Sequence, residues 1–313
     1  MLSYARPDFF AKALQSAVQQ TYPNLEIVVV DNRSERSPEI AAVAARYPQV
    51  RLIASPTNLG FTGGMNLGIK SSRGEYIFLT EDDLVLDPDC VKEFAARMTP
   101  QSPPMLLSGL ILNERDGSIW AAGGQVDLAP VFTMTVFGHR EPNSGQYTGD
   151  FEVNYVSGSM IFASAALFRI LGGFREDFFM FSEDVELCFR AAAMQCAIKI
   201  IPSARASHFE PKNSPVPKSM QCRKMKNMIS LYMLHARPVT VLLFLARGTA
   251  AIMFLKSGSD KVLWLRALCS ALFAMPRLLQ DRYRWRRKCQ ELSHRRIESP
   301  AGAQRATVSR QME

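Results

Sequence analysis

The stretch EYIFLTEDDLVLDPD, residues 75–89, sets three adjacent carboxylates, Glu81, Asp82 and Asp83, at the end of an apolar run. Carboxylates this close repel one another. Either water solvates them in a loop that caps a helix starting near residues 87–88, or a cation lies against them. A cluster of carboxylates with little water favours a hard divalent ion, Mg²⁺ or Mn²⁺, completed by phosphate and water. A second acidic pair, Glu183 and Asp184, opens a helical stretch in GGFREDFFMFSEDVELCFRAA. Ser182 is the expected N-cap, and acids in a first turn are also favoured by the helix dipole alone. Phe178, Phe179, Met180 and Phe181 precede the pair. Apolar surroundings raise a carboxylate's basicity, which suits a general base.

Three other features have residue types that could hold a nucleotide or an ion. Asp31 follows the run LEIVVV and could accept a hydrogen bond from a base ring N–H. Asp-Asn after a strand also makes ordinary turns, here with Asn32 and Ser34. In NLGFTGGMNLGIKSSRGEY, Gly60, Gly63, Gly64 and Gly68 allow close backbone approach, and Asn58 and Asn66 supply amides. A helix expected to begin near Gly64 would turn its free N–H groups toward a phosphate. The spacing is neither GxGxxG nor a phosphate-binding loop ending in GKS/T. His208 is a lone imidazole after a strand-like run, either a metal contact or an unremarkable surface residue.

The elements that must position these groups alternate. Residues 8–20 have apolar side chains at helical spacing, 25–31 read as a buried strand, and 38–47 as a helix. A strand at 50–53, a helix at 64–71 and a strand at 76–79 follow. Such alternation implies βαβ units and a mostly parallel sheet, whose ligands sit at the carboxyl ends of the strands. Asp31 and residues 81–83 fall at such ends. Residues 105–160 read as mixed or antiparallel structure, with β-like character at 153–163. Residues 163–201 read as a helix, a Gly172-Gly173 turn, a helix from Glu183 and a strand AIKII. Residues 202–217 read as a loop and a boundary.

Charge divides the chain. From residue 218 onward there are 19 Lys/Arg against 5 Asp/Glu, which leaves 18 against 24 before it. The apolar segment 238–255 has the length of a short membrane span, but Arg247 near its middle makes a simple span costly. Apolar stretches broken by Lys and Arg, with Trp264, Tyr283 and Trp285 near the charges, predict helices lying in an anionic membrane surface. A helical subdomain packed on the core is the alternative. RYRWRRK would also suit nucleic acid, but basic aromatic helices at membranes look the same, and no nucleic-acid partner is expected. Six scattered cysteines with no CxxC pair indicate a reducing cytosol. Asp8 and Lys12 interrupt any secretory signal. A polar tail, 299–313, completes the chain.

Taken together, SYARP (3–7), DNRS (31–34), NLGFTGGMNLG (58–68), EDD (81–83), GGFREDFFMFSEDVELCFR (172–190) and His208 resemble the inverting family 2 glycosyltransferases. The likeness is greatest to their rhamnosyltransferase-like branch, and it covers about residues 3–210. The resemblance implies a GT-A fold, a Rossmann-like mixed sheet flanked by helices. It would span 1–217, with a nucleotide-sugar half at 1–100 and an acceptor half at 101–217. A basic, membrane-associating helical region would occupy 218–298. It implies an enzyme that moves a sugar, rhamnose favoured, from a nucleoside-diphosphate sugar to a glycan or lipid-linked acceptor in cell-surface polysaccharide synthesis. The work would take place on the cytoplasmic face of the inner membrane. By resemblance, Asp31 binds the base, and Ser3, Asn58, Gly64, Asn66 and Asp82 complete the donor site. Asp83, with Glu81 and His208, holds Mg²⁺ or Mn²⁺. Asp184 is the base, Glu183 helps bind the acceptor, and Arg190 supports them.

This chain departs from the family pattern in three places. The acids read Glu-Asp-Asp rather than Asp-x-Asp, and Gln195 stands where a glycine is usual. Only Met1 and Leu2 precede Ser3, which predicts either a very short first strand or a displaced start. An inactive sugar-nucleotide-binding or scaffold protein and a nucleotidyltransferase are the alternatives. The second would want a glycine-rich, basic signature near the first strand, which SYARPDFF lacks.

Overall fold

The computed structural model describes residues 1–209, 217–254 and 258–297. The expected tail at 299–313 lies outside the described residues. The first part alternates as β1 (Leu2–Ser3), α1 (Pro7–Val18), β2 (Ile27–Asp31), α2 (Ser37–Ala44), β3 (Val50–Ala54), α3 (Gly60–Ser71) and β4 (Tyr76–Thr80). β2 consists of β-branched residues up to Asp31, and Val28 to Asp31 are buried, as a strand between helix layers requires. β1, β2 and β3 pair in parallel, and Leu2 bridges Glu81 in parallel just beyond β4. β1 therefore lies between β2 and β4, so both Asp31 and the Glu81–Asp83 acids sit at carboxyl strand ends. With only two residues in β1, the lower parts of β2 and β4 flank a cavity of about 750 Å³ lined by Ile27, Val28, Met65 and Ile77.

The second part contains β5 (Leu84–Leu86), α4 (Cys90–Ala95), β6 (Met105–Asn113), β7 (Ile119–Ala121), β8 (Gly124–Asp127), β9 (Thr133–Val136), β10 (Phe151–Glu152) and β11 (Met160–Ser164). It continues with α5 (Ala165–Leu171), α6 (Glu183–Ala193) and β12 (Ala197–His208). The sheet order is β10-β12-β6-β11-β4, with β6 and β12 parallel and the other neighbours in that order antiparallel. Of the β-like run at 153–163, only the end is strand.

Two sequence expectations are corrected here. The loop expected from residue 202 is strand as far as His208. The register shifts between Ile201 and Arg205, a bulge that takes Pro202, which has no N–H to donate, out of the ladder. His208 is thereby paired opposite Leu84, the residue after Asp83. The other correction is to α3, which begins at Gly60, a full turn before Gly64.

Three helices complete the described chain: α7 (Lys218–His235), α8 (Pro238–Phe254) and α9 (Gly258–Ile297). Ile229, Leu231, Met233 and Leu234 of α7, with Ala267, Ala271 and Leu278 of α9, enter the same apolar core as Phe174, Phe178 and Leu187. Residues on both sides of 217 therefore share one core. A buried charge network ties these parts together. Arg190 on α6 donates to Glu186 from Nε (2.8 Å), to the Leu171 carbonyl and to the Gly173 carbonyl (2.8 Å). His235 on α7 lies 3.2 Å from the same Glu186 carboxylate. Burial alone would raise the Glu186 pKa, but Arg190 and His235 hold it at about 2. Arg190→Met would leave that buried carboxylate with His235 as its remaining close side-chain partner and Arg175 as a more distant charge. We expect a loss of about 3–5 kcal/mol in urea unfolding. A loss of about 1 kcal/mol or less, the scale of an exposed pair, would contradict this role.

Candidate active site

The acids after β4 are not a solvated loop. Asp82 is 0% exposed and Asp83 5%. Asp82 Oδ2 accepts from Ser3 Oγ and from the Tyr4 backbone N–H, both at 2.9 Å. Arg6 bridges the pair, with Nη2 2.5 Å from Asp82 Oδ1 and Nη1 2.5 Å from Asp83 Oδ2. His208 Nε2 lies 3.5 Å from Asp83 Oδ2, and Trp120 packs against the imidazole with ring centroids 4.5 Å apart. Burial pushes Asp82 up to about 6. Burial would raise Asp83 too, but His208 and Arg6 hold it below its ordinary value. Glu81 rises well above its ordinary value through burial and repulsion from Asp83, and Glu183 also repels it. The two acidic clusters lie near each other: Gly158, which donates to Asp184, stands two residues before Met160, and Met160 pairs with Thr80, the residue before Glu81.

Asp184 and Glu183, the second acidic pair, have different surroundings. Asp184 Oδ2 accepts from the Tyr155 hydroxyl at 2.9 Å and the Gly158 N–H at 3.2 Å, and Oδ1 accepts from the Val185 N–H at 2.8 Å. Glu183 is buried, and its Oε2 has no hydrogen-bond partner. Donors favour the charged carboxylate, so the negative charge of the pair belongs on Asp184. Burial and then Asp184 push Glu183 up to about 8, and burial also raises Asp184. Ser182 precedes the helix as expected, but it adopts a left-handed backbone (φ +62°) and its side chain makes no capping bond.

The loop before α6 is held by residues that sequence reasoning passed over. Phe179 and Phe181 also have positive φ, a strained choice for aromatic residues. Asn227 of α7 donates to the carbonyls of Phe178, Met180 and Phe181 at 2.8–2.9 Å. Thr62 N–H donates to the Phe179 carbonyl. Gly60 (φ +70°) has no room for a side chain, since a Cβ would lie 2.5 Å from Phe179.

The glycine-rich stretch thus meets the loop before Glu183. Asn66, expected at the donor, accepts from Phe174 N–H and donates to the Phe174 carbonyl at 2.8 Å, and its amide nitrogen also reaches Glu176. Gly64 lies within α3 against Leu2, so it does not offer a helix terminus. Asn58 Oδ1 accepts from the Gly60 N–H at 2.8 Å and so satisfies the start of α3. Asp31 is buried at the end of β2 and accepts from Ser37 Oγ at 3.0 Å. Ser3, Asp82, Asp83 and His208 are brought together, Glu81, Glu183 and Asp184 adjoin them, and Asn66 is not part of the group. Arg6, Tyr155 and Asn227 are the additions. Arg6 stood in the SYARP motif, but nothing in the sequence marks the other two.

The donor set suits a divalent cation. Asp83 Oδ1 and His208 Nδ1 are buried without hydrogen-bond partners. Among the described residues no group of three or more His, Cys, Asp and Glu closes around one point. Two protein ligands with phosphate and water are the usual arrangement for Mg²⁺.

The model of the Glycosyl transferase family 2 domain matches residues 1–168, more than half of the chain. The chain belongs to glycosyl transferase family 2. The succinoglycan biosynthesis protein ExoO of Rhizobium meliloti is 29% identical over 43% of this chain, which spans 39% of that protein's length. The N-acetylglucosaminyl-diphospho-decaprenol L-rhamnosyltransferase of Mycobacterium tuberculosis is 25% identical over 66% of this chain and 74% of its own. The mannosyltransferase PcManGT of Pyrobaculum calidifontis, solved with GDP-Man and Mn²⁺, superposes with a TM-score of 0.51 at 16% identity. The match covers 93% of this chain and 83% of that one. That likeness establishes the GT-A fold for this family 2 chain.

Glu183 has a consequence for stability. Its folded pKa lies above its ordinary 4.5, so between about 4.5 and about 8 the folded chain keeps a proton that the unfolded chain releases. Raising the pH through that window therefore removes stability. Glu183→Gln should flatten this fall, so that the melting-temperature gap between variant and wild type widens from pH 5 to pH 8. Parallel curves for the two proteins would contradict the assignment.

Proposed function

We propose that this family 2 chain is a metal-dependent inverting glycosyltransferase. It would move a hexosyl group, with rhamnosyl the favoured one, from a nucleoside-diphosphate sugar to a glycan or lipid-linked acceptor of cell-surface polysaccharide. The observation that carries this reading is the gathering of Asp83 beside His208 with the Glu183–Asp184 pair, which the Asp184–Gly158 bond and the Met160–Thr80 pairing bring near the end of β4. The printed activity of the Mycobacterium relative supports the sugar and the lipid-linked acceptor. The Mn²⁺ and GDP-Man of the Pyrobaculum enzyme support the cofactor and donor class.

In the proposed reaction an acceptor hydroxyl oxygen bonds to the anomeric carbon as the bond from that carbon to the diphosphate breaks. Asp184, kept ionised by Tyr155, Gly158 and Val185, takes the hydroxyl proton. Glu183 still holds its proton at pH 7, so it can donate a hydrogen bond to the acceptor and orient it. Asp83 and His208 would hold Mg²⁺ or Mn²⁺, which when bound supplies positive charge to the departing diphosphate. Asp31, at the end of β2, would hold the base. Asp184→Asn should lower turnover by about 10²–10⁴-fold while donor-induced thermal stabilisation persists. Glu183→Gln, which can still donate, should keep more activity than Asp184→Asn. Wild-type turnover in Asp184→Asn would contradict the base assignment.

The same reading puts the enzyme at the cytoplasmic face of an anionic membrane, lying in the interface. One described helical segment, Lys261–Glu291, contains an 18-residue stretch apolar enough to cross a membrane by length and composition, with a mean hydropathy of 1.5 over that stretch. Its small residues Ala267 and Ala271 face the protein, whereas Leu265, Leu272, Leu279 and Phe273, which is 92% exposed, face outward. Leu242 and Leu243 of α8 are exposed too, and Arg266, Arg277 and Arg284 stand among these apolar groups. Each Lys or Arg near an anionic surface gains about 1 kcal/mol. Replacing Leu242, Leu243 and Phe273 by Ser should release the full chain from phosphatidylserine vesicles in a sedimentation assay. Unchanged co-sedimentation would contradict membrane docking by this face.

A further inference from the structure

Arg6 stands where the acid cluster needs positive charge, and it is the one arginine or lysine that the cluster's own contacts include among the described residues. Its guanidinium spans both carboxylates at 2.5 Å, yet its side chain is 32% exposed, so solvent and ligands can reach it. The two acids depend on it unequally. Asp82 keeps Ser3 Oγ and the Tyr4 N–H as partners whatever Arg6 does. Asp83 has only Arg6 and, at 3.5 Å, His208, and its Oδ1 has no hydrogen-bond partner. A guanidinium and a divalent cation on the same Asp83 carboxylate would repel each other at close range. A guanidinium also matches phosphate oxygens with paired N–H donors.

We propose that Arg6 is an internal counter-ion latch. It holds Asp82 and Asp83 together while the site has no donor, and it leaves Asp83 when a divalent cation and a diphosphate enter. The freed guanidinium then takes phosphate oxygens while Ser3 and Tyr4 keep Asp82 in place. Metal alone must displace Arg6 and binds weakly. Metal arriving with a diphosphate gives Arg6 a new partner, so each ligand strengthens the binding of the other. Arg6 acts on metal affinity through Asp83 and is a positioning residue. This inference rests on the metal reading of Asp83 and His208.

The test is Mn²⁺ binding to the full chain without any sugar nucleotide, read from the electron paramagnetic resonance signal of free Mn²⁺. Arg6→Gln removes the competing charge and should bind Mn²⁺ at least tenfold more tightly than wild type. Arg6→Lys keeps a charge but cannot span both carboxylates, so its affinity should fall between the two. It also serves as the comparison if Arg6→Gln does not fold. Equal or weaker Mn²⁺ binding in folded Arg6→Gln, or in Arg6→Lys in its stead, overturns the latch. Asp83→Asn should abolish the site in every background. Unchanged Mn²⁺ affinity in Asp83→Asn would overturn the metal assignment instead.

Discussion

The constraint on which the rest depends is the gathering of five carboxylates, Glu81, Asp82, Asp83, Glu183 and Asp184, all of them buried or half-buried, in one part of the fold. Such charge is tolerable only if each group is paired, hydrogen-bonded or protonated. All of these remedies are present. Asp82 and Asp83 share Arg6, Asp184 is surrounded by donors, and Glu183 keeps its proton at neutral pH. In the proposed reaction these differences would give each acid a different task. A site built to meet a cation and an acceptor hydroxyl needs one exposed to exchangeable positive charge and another held ionised.

The supporting structure follows from holding those acids in place. β1, though two residues long, carries Ser3 to Asp82 and sets Arg6 beside the cluster. The bulge in β12 lets a proline-bearing strand reach His208. The strained loop before Glu183 is held from one side by α3, through Thr62 and Gly60, and from the other by Asn227 of α7. Helices beyond residue 217 are therefore joined to the loop that leads into Glu183, and α7 and α9 share the core of the preceding residues.

Much of this was legible in the sequence, for physical reasons. Buried β-branched runs and helical spacing identify β2, β3, β4, α1 and α2, because burial imposes period and composition. Asp83, His208 and the Glu183–Asp184 pair are each ordinary residue types at strand and helix ends, and it is their order along the chain that made them stand out. Asn66 did not reveal its place: an amide in a glycine-rich run looks the same whether it meets a nucleotide or the Phe174 backbone. Tyr155 and Asn227 were equally hidden, since their roles exist only after distant segments pack. Pro202 suggested a loop because its missing N–H is read locally, whereas the sheet absorbs it with a bulge. The resemblance assigned Asp184 and Glu183 different roles, but the donors that distinguish their surroundings, Tyr155 and Gly158, were hidden because they come from a distant segment.

The central claim is direct displacement at the anomeric carbon by an oxygen nucleophile activated at this site. The most direct measurement follows cleavage of a nucleoside-diphosphate sugar by the full chain with Mn²⁺, using proton nuclear magnetic resonance of the anomeric signal. Water can serve as the acceptor, so the natural one need not be in hand. The account predicts that the first sugar formed has the anomeric configuration opposite to the donor's. A first-formed sugar that retains the donor's configuration would contradict it.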